Sequence, residues 1–301
     1  MALFFQQLLN GLTIGMVYAL IALGYTMVYG VLQLINFAHG EVFMVGAYLA
    51  LTALGLLLGW QPGVSPWTFL PLVFLFAMLG ASVLGATIER TAYRPLRGSP
   101  KLTALISSIG VSFFLQNTVM LLYGSKEKNM PEIFPAQAFS FGDIALTWAQ
   151  ILIFAISILL MFWLTWFVKN TSLGRAMRAS AENVEAASLM GIPVNRVIQA
   201  TFVIGSALAA VGGSLFAINY GSINFHDGYL AGLKAFTAAV FGGIGSIPGA
   251  MLGGILLGVF EGFGAGYISS EWKDVFAFVL LIVVLLFKPS GILGENITDK
   301  V

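Results

Sequence analysis

Runs of twenty or more apolar residues, separated by short polar stretches, dominate this chain from end to end. They fall near 8–31, 36–59, 67–88, 102–123, 144–168, 197–219, 230–265 and 274–288. The hydrocarbon core of a bilayer needs about 20 apolar residues in a helix, so the pattern predicts about eight membrane-spanning helices. A transmembrane β-barrel would show alternating segments of about ten residues instead. The seventh run is too long for one span and is cut by Phe241-Gly242-Gly243-Ile244-Gly245-Ser246-Ile247-Pro248-Gly249. Glycine and proline at that density cannot hold a continuous helix. Two shorter helical pieces joined by a tight turn are expected there.

Composition sharpens the picture. Hydrophobic residues make up 58% of the 301 and charged residues 9%, whereas a soluble domain carries about a quarter charged. So little charge cannot cover a water-facing surface. The expected architecture is an all-α integral membrane protein, one transmembrane domain over 1–301, with one or two broken or re-entrant segments. The glycine-punctuated breaks at Tyr29-Gly30…Asn36-Phe37-Ala38-His39-Gly40 and at 241–249 loosely resemble each other, the mark of an inverted repeat.

A net charge of +1 gives no reason to expect a nucleic-acid partner. There is no cysteine, hence no disulfide or thiolate chemistry, and the two histidines, His39 and His226, are isolated. No metal site is expected. The N-terminus lacks the basic region of a cleaved signal peptide, so the first segment is expected to be retained as a span. Basic residues set the orientation. Arg90, Arg94, Arg97 and Lys101 lie in one short loop, and Lys169, Arg175, Arg178 and Arg196 in another. The positive-inside rule makes both cytoplasmic. The loop 124–143 balances Lys126 and Lys128 against Glu127, Glu132 and Asp143, which suits the outside. Counting spans places the N-terminus outside and the C-terminus, with Lys288 and Lys300, inside.

The loop at about 169–196 is long enough for a surface helix of its own. Ser180 is a candidate N-cap, Glu182 would then lie in the first turn, and Gly191 with Pro193 would stop the helix. The face Val184, Ala187, Ser188 and Gly191 is small and weakly apolar, flanked by Arg175 and Arg178. The residues alone fit two readings equally: a linker helix in the headgroups, or a docking helix that another protein approaches closely.

Ionisable groups inside spans cost about 2.5–3.5 kcal/mol each on insertion scales and mark function by default. His39 and Glu41, beside Asn36 and Gly40, fit either a pathway lining or caps for backbone groups freed by the break. Gly243, Gly245 and Pro248 at the second break, and Glu261 deep in a glycine-rich helix, are further pathway candidates. Lys234 is expected to snorkel to the outer interface. Gln116 and Asn117 are expected to hydrogen-bond between helices. The spacings Gly205…Ala209…Gly213 and Gly249…Gly253 are close-packing faces, one of them a candidate interface to a partner.

Glu185-Ala186-Ala187-Ser188-Leu189-Met190-Gly191 matches the Glu-Ala-Ala-x-x-x-Gly signature of ABC importer permeases. The usual Ile-x-Leu-Pro extension is missing, with Thr201-Phe202-Val203-Ile204 in that region. This fits the branched-chain amino acid permeases, where the extension is commonly degraded. Further stretches resemble that subfamily over nearly the whole chain. They are 19–30, Ile35-Asn36-Phe37-Ala38-His39-Gly40-Glu41, Ala92-Tyr93-Arg94-Pro95-Leu96-Arg97, 234–240, 242–250 and Pro289-Ser290-Gly291-Ile292-Leu293-Gly294.

The resemblance, to the smaller of the two permeases of such systems, implies the importer permease fold. It also implies partners: a second homologous permease, two cytoplasmic ATPases holding ATP and Mg, a periplasmic binding protein and the lipid bilayer. The loop 169–196 would be the ATPase-coupling element, through Arg175, Arg178, Glu182, Glu185, Ala186, Ala187 and Gly191. No Gly-x-x-x-x-Gly-Lys-Ser/Thr occurs, so ATP would bind in a separate subunit, and no catalytic residue or bound cofactor is expected in this chain. An ion-coupled secondary transporter or channel for a small neutral solute is the competing class, and a membrane-embedded enzyme a more distant one, lacking the acid or histidine clusters it would need.

Overall fold

The computed structural model describes residues 1–60, 65–134, 138–142, 144–288 and 290–294. Asp143, Pro289 and Lys300 lie outside the described residues. Eleven α-helices follow one another among those described: α1 (Ala2–Leu32), α2 (His39–Trp60), α3 (Pro66–Ile88), α4 (Lys101–Tyr123), α5 (Trp148–Asn170), α6 (Ser172–Glu182), α7 (Val184–Leu189), α8 (Val194–Tyr220), α9 (Asp227–Gly242), α10 (Ile247–Tyr267) and α11 (Lys273–Phe287). Seven of the helical stretches are long and apolar enough to cross a membrane. The overlong seventh run divides as expected into two pieces, α9 and α10, which meet at a turn over 243–246. Strand content is confined to two small antiparallel pairings: β1 (Lys128–Asn129) with β4 (Ser222–Ile223), and β2 (Phe139–Phe141) with β3 (Ile144–Leu146).

The core is built around α1, whose residues from Met16 to Val28 are buried almost without interruption. A helix that is apolar on all sides can be buried at the centre of a bundle. Its largest neighbour is α10, and glycines allow the approach. A Cβ on Gly254 would lie 2.5 Å from the Ala19 Cα, and one on Gly262 would lie 2.7 Å from the Gly11 Cα. Without a hydrophobic drive between helices in lipid, such backbone proximity supplies the packing energy. α8 lies against α1, α2 and α3. The outer faces of α3, α4 and α5 expose Leu79, Val83, Ile106, Phe114, Leu159 and Phe162, as expected where the solvent is hydrocarbon.

The two glycine spacings singled out from sequence are internal. Gly205 faces Gly24 and His39, Gly213 faces Phe43, Gly249 faces Gly242 and Gly253 faces Ala238. Each closes a contact within the bundle, so neither supplies the surface for a partner.

Candidate functional site

The coupling segment is a helix–kink–helix. Thr171 caps α6, its hydroxyl accepting the Gly174 N–H at 3.0 Å. α6 ends at Glu182, and Asn183, in extended backbone, starts α7 by accepting the Ala186 N–H at 2.9 Å. The cap is therefore Asn183 and not Ser180, which is buried inside α6. Glu182 closes α6 instead of opening the next helix, while Glu185 takes the first turn of α7. Asn is among the strongest N-cap residues. The signal missed was Asn183 followed two residues later by an acid.

Ala187 is buried at 4% exposure and anchors α7 to the bundle, whereas Leu189 and Met190 stand 89% and 83% exposed. Glu185 and Ala186 are also exposed. Gly191 ends the unit with a φ of +81°, a left-handed conformation that suits glycine. Arg175 and Arg178 do not reach α7. They donate to the Asn170 and Lys169 carbonyls, at 3.2 and 3.3 Å, and so cap the end of α5.

The first break runs from Gln33, which closes α1, to Ala38. Asn36 organises it: its Oδ1 accepts the Ala38 N–H at 3.1 Å and the Tyr93 hydroxyl at 3.0 Å, and its carbonyl accepts the His39 N–H. Asn36 thus meets the Ala38 and His39 N–H groups at the break. His39 packs against the Tyr25 ring at 4.9 Å. Glu41, 1% exposed, accepts the Ser112 hydroxyl of α4 at 3.2 Å. Gly40 lies against Gly228 and Gly232, so α2 and α9 begin side by side. Ser112 also lines a cavity of about 140 Å³, together with Tyr25, Phe37, Ile109, Phe113, Tyr229 and Leu233. The described walls are apolar and aromatic except for a few hydroxyls. A small aliphatic group fits such a space.

A family model described as branched-chain amino acid transport system, permease component, matches residues 7–285. The chain belongs to that permease family. It is 54% identical to the high-affinity branched-chain amino acid transport system permease protein BraD of Pseudomonas aeruginosa, across 99% of this chain and 98% of that one. It is 50% identical to the permease protein LivH of Salmonella typhimurium with the same coverage, and 29% identical to a probable branched-chain permease, LivH, of Methanocaldococcus jannaschii over 92% of this chain.

The second break of this permease is a structural joint. Gly243 and Gly245 adopt φ of +108° and +96°, Ser246 caps α10 through the Gly249 N–H, and Pro248 sits in the first turn. The Ile292 and Leu293 N–H groups bond to the Phe241 and Gly242 carbonyls at 2.9 Å, so residues 290–294 brace the turn. None of Gly243, Gly245 and Pro248 lines the 140 Å³ cavity.

Lys234 does not snorkel. It is 4% exposed, and its Nζ lies 2.6 Å from both Glu261 Oε1 and Asp274 Oδ1. Tyr18 donates to the other Glu261 oxygen at 3.0 Å. Glu261 is therefore part of an ion cluster joining α1, α9, α10 and α11, and it does not line the cavity. Gln116 makes the expected interhelical bond, 2.7 Å to His226 Nδ1, whereas Asn117 bonds its own helix at the Phe113 carbonyl. Beside His226, burial pushes the Asp227 carboxyl up, opposed by the Asn224 N–H that it accepts at 2.7 Å.

None of the pathway candidates lines the cavity; Phe37, next to Asn36, does, and Glu41 reaches the lining only through Ser112. Glu41→Gln keeps the shape and an acceptor for Ser112 but replaces the carboxyl by an amide. Uptake per assembled complex is expected to fall about tenfold, with the amount of complex unchanged. Equal loss of complex and uptake would reduce Glu41 to a brace.

Proposed function

We propose that this chain is the membrane-spanning permease subunit of an ATP-driven importer that moves leucine, isoleucine, valine or a related neutral amino acid across the bacterial inner membrane. The carrying observation is α7: a short capped helix, tied to the bundle through Ala187 and presenting Glu185, Leu189 and Met190 outward, on the Glu-Ala-Ala sequence of importer permeases. The substrates in the relatives' names support the choice of cargo. So does the cavity, whose aliphatic and aromatic walls suit a branched side chain.

In this reading a periplasmic binding protein delivers the amino acid to the outer face. The N-terminus is outside, and both basic loops and the C-terminus are cytoplasmic. Two ATPases, holding ATP and Mg, close together and displace α7, which rocks the bundle against a second, homologous permease. The cavity is exposed to one side and then the other. No bond in the cargo is made or broken, so this chain needs no catalytic group.

The test is purification of tagged chain from native membranes, identification of what accompanies it, and reconstitution. An ATPase and a second permease should copurify, and leucine uptake should follow ATP while ignoring the membrane potential. A chain that purifies alone and transports on an ion gradient would overturn the reading in favour of an ion-coupled carrier.

A further inference from the structure

The stretch after α3, which runs into the family-like sequence 92–97, touches the site above only through the Tyr93 hydroxyl on Asn36. It leaves the helix as one π turn (Glu89–Tyr93) and one 3-10 turn (Arg94–Leu96). Glu89 is fully buried, and two guanidinium groups close on it. Arg94 contributes bonds at 2.7 and 3.2 Å, and Arg97 binds Glu89 Oε1. The other arm of Arg97 binds Asn195 Oδ1. Asn195 lies in the first turn of α8, joined to α7 by the tight link in which the Ile192 N–H bonds the Ala187 carbonyl at 3.1 Å. Between the arginines and α3 sits Tyr93, 2% exposed, its ring 5.1 Å from that of Phe202 and its hydroxyl on Asn36. The residue after Asn36, Phe37, is part of the cavity wall.

We propose that Arg97 and Tyr93 are positioning residues that carry the displacement of α7 to the cavity wall at Phe37. The inference rests on the reading of α7 as the ATPase-facing element. A guanidinium presents its donors in a fixed planar fork, so two-armed contacts transmit direction as well as attraction. At the far end, the 33–38 stretch lacks a helical ladder and its shape depends on what Asn36 holds. A movement of α8's first turn therefore reaches a compliant segment through rigid contacts: Asn195, Arg97, Glu89, the turn carrying Tyr93, then Asn36.

The test uses the whole complex in proteoliposomes, with ATP hydrolysis and leucine uptake measured in the same vesicles. Tyr93→Phe removes one hydroxyl, and Asn195→Ala removes an exposed acceptor, so both should fold. Hydrolysis should stay within about twofold while uptake per ATP falls about fivefold in each, the worth of one hydrogen bond. Because the two act in series, the double variant should lose no more than the worse single one. Unchanged uptake per ATP, a parallel fall of uptake and hydrolysis, or losses that multiply in the double variant would each overturn the link. Failure of the underlying reading looks different: Glu185→Lys would then keep its ATPase.

Discussion

Glu185→Lys is expected to strip the ATPase from the purified permease while leaving the permease itself folded. Glu185 is exposed and in the first turn of α7, so the bundle loses only a favourable helix-end charge, about 0.3–1 kcal/mol. Docking is another matter. The coupling reading places this carboxylate at the protein–protein contact, where reversing a desolvated charge costs about 2–5 kcal/mol. Affinity then falls on the order of a hundredfold, enough to lose the subunit during a column wash. Uptake should vanish with it, and the melting temperature of the permease should move by no more than about 2 °C. Glu182→Lys is the companion. It closes α6, where a positive charge suits the helix end, and lies on the other side of the Asn183 kink. It should retain more ATPase than Glu185→Lys. Full retention of the ATPase by Glu185→Lys would sink the assignment of α7.

What the chain revealed before its structure divides along a physical line. Features set by local pattern were legible: the apolar runs, the break at 241–249, the stop at Gly191 and Pro193. Hydropathy acts over a few turns of helix, and glycine and proline act on their own backbone. The coupling loop was half legible. Its position followed from basic residues and the Glu-Ala-Ala run, but Ser180 and Asn183 are both good caps. The choice fell to Asn183 because burial of Met177 and Ser180 extends α6 past the first candidate. Long-range polar pairing was not legible. Asn36 meets Tyr93 across 57 residues, Glu41 meets Ser112 across 71, and Tyr18 meets Glu261 across 243. No periodicity in a helix announces which distant side chain will satisfy it. The clamp on Glu89 lies between these cases, since its acid and both arginines fall within one turn region. It could have been found by asking which acid is close enough to neutralise that cluster.

Lys234→Met should destabilise the permease more than any other single change considered. Its ammonium lies between Glu261 and Asp274 at 2.6 Å each, with the Tyr18 ring 5.7 Å away. Asp274 is partly exposed and can recover water, but Glu261 is 3% exposed and cannot. Methionine matches the length of the lysine stem, so packing is kept and the electrostatic term stands alone. Removing one partner of a buried pair costs about 3–5 kcal/mol, because the charge left behind has no compensation. In detergent this should appear as a drop of about 10 °C in melting temperature. The double variant Lys234→Met with Glu261→Gln should recover more than half of it, since replacing both partners of a buried pair is often nearly neutral, and the amide oxygen introduced by Glu261→Gln can still accept the Tyr18 hydroxyl. If the double variant is no more stable than the single one, the cluster does not hold α9 to α10 through its charges. Uptake per folded complex separates the remaining roles. A staple that only joins α1, α9, α10 and α11 predicts a double variant that transports normally at low temperature. A stable double variant that cannot transport would instead place these charges in the conformational cycle.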